Sequence, residues 1–426
     1  MSCSIEDARN LFDVMPLGRN SNKAPVVSGG GGIDSLPDGV LEHMLGFLEA
    51  REAVRTCVLA RRWRYLWMSA MGLRIVYTTD DDGEGDYLTA MRKYRQFVDC
   101  LLDCRGQAPL ETCEISFEGL CDDDDRPCLN RWIRHVTCQV QIFRLSNVCR
   151  EDFELDDLPL VSRHLTRLEL DGMELSNSFF DFSSCPSLEH LEIATCFLSE
   201  ANMIMSKSLK RLSITNCLFG KRFRTRVNVP NLVSLRLDSH LYRAPVIERM
   251  PALQEAYVRV GHENANSGDC DDYSADCDYE DCYSCQGVLR GDNKKCVLLE
   301  CLSEAENMTL ISESKTFIFG RDLNKCPIFS KLKTLLLNES WCVAPDFSAL
   351  TCILKNTPVL GKLTLQLFSK GPKHKVEMIG RFNSMERSAA ISEHLKTVEI
   401  KCEVVDEEVN EILKFLCTLN ICFIFK

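Results

Sequence analysis

A leucine pattern that recurs every 21–23 residues constrains the fold of this chain most strongly. Four segments of the form Leu-x-x-Leu-x-apolar begin at Leu165, Leu188, Leu209 and Leu232, so their first leucines lie 23, 21 and 23 residues apart. Segments of similar style occur at 140–145, 253–258, 332–337, 360–365 and 395–400. Each segment predicts a short strand with its leucines directed inward, and a return stretch lets neighbouring units stack.

A period of about 20–29 residues with this pattern is the signature of a leucine-rich-repeat solenoid. We therefore predict a curved α/β leucine-rich-repeat solenoid over residues 136–400. The residues between the inward leucines face its concave side and form a candidate substrate-binding surface of mixed charge. They are Arg167, Glu169, Asp171, His190, Glu192, Arg211, Ser213, Thr215, Ser234, Arg236 and Asp238. The alternative is a solvated sheet face with cross-strand charge pairing and no ligand.

Residues 33–73 predict three short amphipathic helices. Pro37 suits the first helical position, and Asp38 suits the positive first turn. The apolar stripes of the helices are Val40, Leu41, Met44, Leu45 and Leu48, then Ala53, Val54, Cys57 and Val58, then Trp63, Leu66 and Trp67. About forty residues cannot bury so much apolar surface among themselves, so the excess predicts a docking surface.

This segment resembles the F-box in the form found in plant F-box/leucine-rich-repeat proteins. The matching residues are Leu36, Pro37, Asp38, Leu41, Leu45, Leu48, Ala53, Val54, Arg55, Thr56, Val58, Leu59, Arg61, Arg62, Trp63, Leu66 and Trp67. The resemblance implies docking on a Skp-type adaptor and, through it, on a cullin–RING ubiquitin ligase. The adaptor-binding residues that it implies are Leu36, Pro37, Leu41, Leu45, Val58, Leu59, Trp63 and Trp67. Of these, Leu36 and Pro37 would contact the adaptor, and the other six would divide between the F-box core and the interface. The alternative is an ordinary three-helix cap on a larger domain.

The remaining segments complete an α+β organisation. Residues 1–32 end in a glycine run and predict a flexible N-terminal arm. Residues 74–135 predict a connecting region of strands and helices. Residues 261–295 are acidic, rich in cysteine and poor in apolar residues, so they predict a disordered insertion into the repeat array. Residues 394–426 resemble a partial FBD region, the C-terminal cap that often ends plant F-box/leucine-rich-repeat proteins.

The bulk composition narrows the classes of function. The chain has 426 residues and a net charge of −12, which argues against a general nucleic-acid binder. No secretion signal and no apolar run of membrane-spanning length is present, so we expect a protein of the cytoplasm, the nucleus or both, with no membrane partner. The 24 cysteines are then expected to be reduced, and most to act as small buried apolar residues.

Neither a catalytic constellation nor a cofactor motif emerges from the sequence. The glycine run at 29–32 follows no predicted strand, and no HExxH pattern is present. Cys282 and Cys285 form a lone Cys-x-x-Cys pair, with Cys270, Cys277 and Cys296 nearby. Structural zinc sites usually combine two such pairs, so a disordered acidic insertion is favoured over a metal site. We predict a protein that is not an enzyme and that holds no cofactor and no metal.

The resemblance implies a substrate-recognition subunit of an SCF-type (Skp–cullin–F-box) E3 ubiquitin ligase. In that role the F-box docks the adaptor, and the repeat domain selects a protein substrate. Two alternatives stay open: a small-molecule co-receptor, and an adaptor-binding repeat scaffold that delivers no substrate. A co-receptor predicts an apolar, partly enclosed cavity with convergent polar groups.

Overall fold

The structure is a computed structural model. It describes residues 33–78, 87–117, 125–147, 155, 159–175, 177–198, 200–219, 224–240, 244–261, 298–312, 319, 322–323, 325–343, 347–367, 376–382, 392–419 and 421–425. The chain divides into two compact units, Met1–Leu191 and Glu192–Lys426. Within the described ranges, no helix combines the length and the apolar character that crossing a bilayer requires.

The first unit begins with short helices. The α-helices are α1 (Asp38–Leu45), α2 (Ala50–Arg55) and α3 (Leu66–Ser69), and 3-10 turns occupy Ile33–Ser35, Thr56–Val58 and Arg61–Arg64. Pro37 stands one position before the helical residues of α1, as its N-cap. The second predicted stripe is not one helix, because α2 ends at Arg55 and a 3-10 turn follows. This break turns Val58 away from the buried side, where Ala53 and Val54 lie.

A parallel sheet completes the first unit. Its elements are β1 (Gly72–Tyr77), α4 (Tyr87–Arg105), β2 (Leu110–Phe117), α5 (Asp125–Thr137), β3 (Val140–Asn147) and β4 (Arg167–Asp171). The strands lie in the order β1-β2-β3-β4, and each neighbouring pair is parallel. Residues 74–135, predicted as a connecting region, thus contribute strands to the same sheet as the first predicted repeat strands.

Alternating burial explains why these segments form strands. Ile75, Ile115, Leu145 and Leu170 are paired in register across the four strands, and each is at most 1% exposed. Parallel strands need a crossover, and α4 and α5 supply it after β1 and β2. The return stretch after β4 is built differently, from 3-10 turns at Asn177–Phe180 and Phe182–Ser184 that bury phenylalanine rings.

The second unit carries the longer run of strands. Its main strands are β5 (His190–Ala194, which crosses the boundary), β8 (Arg211–Thr215), β11 (Ser234–His240), β13 (Glu255–Gly261), β14 (Asn307–Ser312), β15 (Thr334–Asn338), β16 (Lys362–Leu367), β17 (Val376–Phe382), β18 (Thr397–Cys402) and β19 (Ile421–Phe425). The return stretches add β6 (Phe197–Leu198), β7 (Met203–Met205), β9 (Leu218–Phe219), β10 (Arg226–Asn228) and β12 (Val246–Ile247). The helices are α6 (Ser348–Lys355) and α7 (Glu407–Thr418).

The predicted repeat strands are confirmed in this unit, together with the inward direction of their apolar residues. From β8 to β18, successive main strands pair in parallel and bring two columns of buried side chains into register. The columns are Leu212, Leu235, Ala256, Met308, Leu335, Leu363 and Val398, and Ile214, Leu237, Val258, Leu310, Leu337, Leu365 and Ile400. All fourteen side chains are buried, so stacking of neighbouring units builds the core.

The C-terminal end departs from the simple repeat. Strand β17 lies between β18 and β19 and pairs antiparallel with both, an element that the leucine pattern does not predict. Helix α7 lies in the segment that resembles a partial FBD region, and the Asp406 side chain caps it by accepting a hydrogen bond from the Val409 N–H at 2.9 Å. The buried residues Val409, Ile412 and Leu416 form its inner face.

Candidate functional site

The eight residues predicted for the F-box core and adaptor interface divide into two groups. Leu41, Leu45, Trp63 and Trp67 are at most 4% exposed, so they belong to the core of the first unit. Val58 and Leu59 are 71% and 67% exposed, and Pro37 is exposed. Leu36 is half-buried. The outward members of the predicted set are thus the ones available to a partner.

Helix geometry explains this division in α1. Leu41 and Leu45 are one turn apart and are buried, and α1 packs against α3. Val40 and Met44 are also one turn apart, on the other side of the helix, and are 43% and 41% exposed. The sequence places all four in one stripe. The structure shows that the stripe is wider than the contact that α3 provides.

Exposed large apolar side chains concentrate in this short segment. Seven of the twelve such side chains among the described residues lie between positions 33 and 65. They are Ile33, Val40, Met44, Phe47, Val58, Leu59 and Tyr65, and we call them the N-terminal apolar set. Exposed apolar residues scattered singly are ordinary, whereas a concentration of them marks an interaction surface. Phe47 and Tyr65 are members that the sequence did not single out.

An ion pair joins the two ends of the motif. The Arg62 guanidinium donates to the Asp38 carboxylate at 2.6 Å and to the Leu36 carbonyl at 2.5 Å. The Leu36–Asp38 segment at the start of α1 is therefore tied to the Arg61–Arg64 turn. Because both charged side chains are more than a third exposed, this pair fixes geometry more than it contributes stability.

Two contacts fasten the helical segment to the rest of the first unit, one at the start of β1 and one at the end of α4. The backbones of Gly46 and Gly72 approach so closely that a Cβ on Gly46 would lie 2.8 Å from the Gly72 nitrogen. The buried Arg105 guanidinium donates to the carbonyls of Trp67 and Ala70, both at 2.6 Å. Burial lowers the pKa of Arg105 to about 10, which still leaves it protonated at neutral pH. These contacts hold in place the helical segment that contains most of the N-terminal apolar set.

The predicted concave-face residues lie on exposed or half-buried strand positions in both units. None of the eleven residues from Arg167 to Asp238 that were predicted to form the substrate-binding surface is fully buried. In the first unit, Arg74, Glu114, Arg144 and Glu169 are paired in register and alternate in charge. Arg74 contacts Glu114 at 3.0 Å, and Arg144 contacts Glu169 at 2.7 Å. Arg167 also contacts Glu169, so this part of the face neutralises its own charges.

In the second unit, the register brings Ser213, Arg236 and Tyr257 into one row. The Arg236 guanidinium lies over the Tyr257 ring at 4.1 Å from its centroid and contacts the Asp238 carboxylate at 2.8 Å. Burial raises the pKa of the Tyr257 phenol. Sequence reasoning missed Tyr257, because its segment, Leu253 to Val258, lacks the second leucine of the pattern. Alignment of that strand with β11 by register would have found it.

The described strand face of the second unit carries an open cavity of about 530 Å³. Two predicted residues, Ser234 and Arg236, line one side of it. Most of the remaining lining comes from strands further along the chain, chiefly Tyr257, Thr309 and Leu336. The candidate binding site is therefore displaced toward β13–β15 from the strands that the sequence favoured. A smaller cavity of about 320 Å³ lies in the first unit, between the end of α1 and β1–β3.

The cysteines give no metal centre within the described ranges. Cys270, Cys277, Cys282, Cys285 and Cys296 all lie outside those ranges, so the structure does not address the Cys-x-x-Cys pair. In the parts that it does describe, no group of three or more metal-binding side chains is placed to hold an ion. Several cysteines are buried core residues; burial raises the pKa of Cys185 to about 11 and that of Cys342 to about 12.

Comparison with known proteins confirms the resemblance to plant F-box and F-box/leucine-rich-repeat proteins, including relatives with an FBD region. No family model matches the chain. The meiotic F-box protein MOF of Oryza sativa subsp. japonica is 28% identical over 401 residues, which cover 87% of this chain and 80% of that protein. An F-box/LRR-repeat protein of Arabidopsis thaliana is 25% identical over 378 residues, with 78% and 68% coverage. An F-box/FBD/LRR-repeat protein of the same plant is 23% identical over 259 residues, with 53% and 56% coverage.

Proposed function

We propose that this chain is a substrate-recognition subunit of an SCF-type E3 ubiquitin ligase. In this proposal residues 33–73 are an F-box that docks a Skp-type adaptor, and the strand faces of the repeats select a protein substrate. The observation that carries the proposal is the N-terminal apolar set, which is concentrated on the segment that matches the F-box motif. The similarity to proteins named for the F-box supports the same role.

The exposed positions of the motif define the docking surface. Val58 and Leu59 are adjacent and protrude after the break that ends α2, and Val40 and Met44 protrude from α1. A partner that covers such side chains removes apolar area from water, at about 25 cal/mol for each Å². Leu41, Leu45, Trp63 and Trp67 act behind this surface by holding the helices in place.

The proposed role is non-catalytic. Such a subunit accelerates ubiquitin transfer by holding a substrate near the enzyme that carries ubiquitin, which raises the effective concentration of the substrate lysine. The contacts of Gly46 with Gly72 and of Arg105 with Trp67 and Ala70 suit this role. They fix the proposed F-box to the start of β1 and to the end of α4. In the same proposal, residues 394–426 are a partial FBD-like cap.

The test is co-expression with a Skp-type adaptor followed by a pull-down. Val58→Asp/Leu59→Asp places two charges in the proposed interface, and we expect affinity to fall at least about 30-fold, as for loss of one interface anchor. Leu36→Ala/Pro37→Ala is a milder second variant at the start of α1. Ile328→Asp is the matched control, because Ile328 is 67% exposed but lies in the second unit.

Each variant is first checked for folding by circular dichroism and thermal unfolding. Binding by the wild type and by Ile328→Asp, together with its loss in Val58→Asp/Leu59→Asp, supports the proposal. A folded wild type that does not bind the adaptor overturns it. Undiminished binding by the doubly charged variant would move the interface away from the N-terminal apolar set.

A further inference from the structure

The open cavity on the strand face of the second unit has an apolar centre. Tyr257, Thr309 and Leu336 are paired in register on β13, β14 and β15, on the exposed side of the sheet. Leu336 follows one inward leucine and precedes another, so strand alternation holds it outward. Leu336 and the Tyr257 ring lie two strands apart with Thr309 between them, so a large apolar side chain placed over Thr309 can contact both.

The charges around the cavity are not equally available. Arg236 is occupied by the Tyr257 ring and by Asp238. Lys362 contacts the Glu399 carboxylate at 3.0 Å. Burial alone would raise the pKa of Glu399, yet Lys362 and Lys401 lower it overall, so this pair stays charged and matched at neutral pH. The cationic side chains that line the cavity thus already have anionic partners.

Glu255 differs from these groups. It lines the cavity on β13, two residues before Tyr257 and on the same face. Among the described residues, the only side chain that forms a hydrogen bond or an ion pair with its carboxylate is Ser234, whose hydroxyl donates at 3.5 Å. A carboxylate with one weak neutral partner is free to accept a strong, charge-assisted hydrogen bond from a cation. The cavity therefore combines an apolar centre with one available negative charge at its edge.

We infer that this cavity binds an extended peptide segment that carries a lysine or arginine near a large apolar side chain. The inference rests on the proposed function, because it names the substrate class that the repeat domain would select. The cation pairs with Glu255, and the apolar side chain packs on Tyr257 and Leu336. The Asn307 amide, whose oxygen already accepts from Thr334 at 2.7 Å, retains N–H donors for a peptide carbonyl.

The dimensions favour a peptide over a compact small molecule. Leu336 is two strands from Glu255, or about 10 Å across the sheet, and two residues further along, or about 7 Å. Tyr257 lies two residues from Glu255 on the same strand, or about 7 Å, and Leu336 lies about 12 Å from Glu255 along the diagonal. At about 3.3 Å for each residue of an extended chain, a separation of two to four residues therefore reaches from Glu255 to one or the other of these side chains. Small-molecule sites are more enclosed, whereas this cavity is open along the strand face.

The test is a peptide array probed with the full-length chain in complex with its Skp-type adaptor. The array pairs Lys, Arg, Asp, Glu or Ala with Leu, Phe or Ala at separations of one to six residues in a Gly/Ser background. We expect the strongest signal for a basic and a large apolar residue two to four positions apart. Leu336→Ala should lower that signal about tenfold, because it removes one of the two apolar contacts without adding a charge.

Charge reversal supplies the decisive control. Glu255→Lys should change the preference from basic to acidic peptides, whereas Glu403→Lys, an exposed carboxylate outside the cavity, should leave it unchanged. The inference is overturned if the wild type shows no preference for basic peptides, or if Glu255→Lys keeps the wild-type preference. Adaptor binding, measured on the same samples, separates this failure from failure of the proposed function, because Glu255 lies in the second unit.

Discussion

The N-terminal apolar set and the strand face of the first unit differ in how far their exposed side chains interact with one another. On the strand face, Arg74, Glu114, Arg144 and Glu169 form ion pairs across neighbouring strands, so that face can remain in water. The side chains of the N-terminal apolar set form no ion pairs of this kind. Their contact with water is unfavourable in free energy until a partner covers them. The difference teaches that charge matching makes a surface tolerant of solvent, whereas exposed apolar side chains on a small anchored segment call for a partner.

The largest effect should come from the buried side of the motif. Trp67 is 2% exposed, and its indole N–H donates to the Arg64 carbonyl at 3.0 Å. We expect Trp67→Ala to reduce the free energy of unfolding by about 3–5 kcal/mol, because it removes a large packed ring. Val58→Ala, at a 71% exposed position, should change it by less than about 0.5 kcal/mol.

Urea denaturation of the full-length chain, followed by circular dichroism, measures both variants. If Val58→Ala proved as destabilising as Trp67→Ala, the division of the motif into a buried side and an exposed side would fail. The contrast between the two surfaces of the first unit would fail with it.

A glycine pair tests the attachment of the helical segment to the sheet. A Cβ on Gly72 would overlap the carbonyl oxygen of Gly46, so Gly72→Ala should destabilise the protein by about 1–3 kcal/mol. Gly39 lies in α1, and a Cβ added there would have no heavy atom within 4 Å, so Gly39→Ala should stabilise the helix by up to about 1 kcal/mol. Thermal unfolding of both variants shows whether each one raises or lowers the stability. A change in the same direction for both would contradict the close backbone contact between Gly46 and Gly72.

The smallest effect is expected on the charge-matched face. Arg144→Met removes one partner of Glu169, while Arg167 remains in contact with that carboxylate. Because Arg144 is 45% exposed, the change in unfolding free energy should stay under about 1 kcal/mol. Arg163→Met, at an exposed position away from this ladder, is the control. If urea denaturation showed that Arg144→Met alone lowers the free energy of unfolding by several kcal/mol, the row of ion pairs on this face would be important for the fold.

Local patterns in the sequence predict the repeat strands well. Leu212 with Ile214 and Leu235 with Leu237 are buried as the alternation requires, because a strand directs every second side chain to one face. The division of residues 33–73 into buried and exposed side chains is less predictable. A helical wheel places Val58 on the same side as Ala53 and Val54, but α2 ends at Arg55, so Val58 points elsewhere. No residue type in that stretch signals the break.

Long-range features are invisible to such patterns. Gly46 and Gly72 are 26 positions apart by their numbering, and only the close approach of the backbone just after α1 to the start of β1 shows why neither carries a side chain. Strand β17 pairs antiparallel with β18 and does not carry the leucine pattern, so the 21–23-residue repeat does not predict it. Tyr257 and Leu336 occupy outward positions, where the pattern constrains nothing, and the strand register alone makes them neighbours of Thr309.

Amide hydrogen exchange of the full-length chain, with and without a Skp-type adaptor, tests whether the N-terminal apolar set is the adaptor surface. We expect slower exchange on adaptor addition to concentrate in residues 36–65, while β13 and β15 in the second unit exchange at unchanged rates. Unchanged exchange in residues 36–65 beside a bound adaptor, or slowing confined to the strands of the second unit, would contradict the assignment.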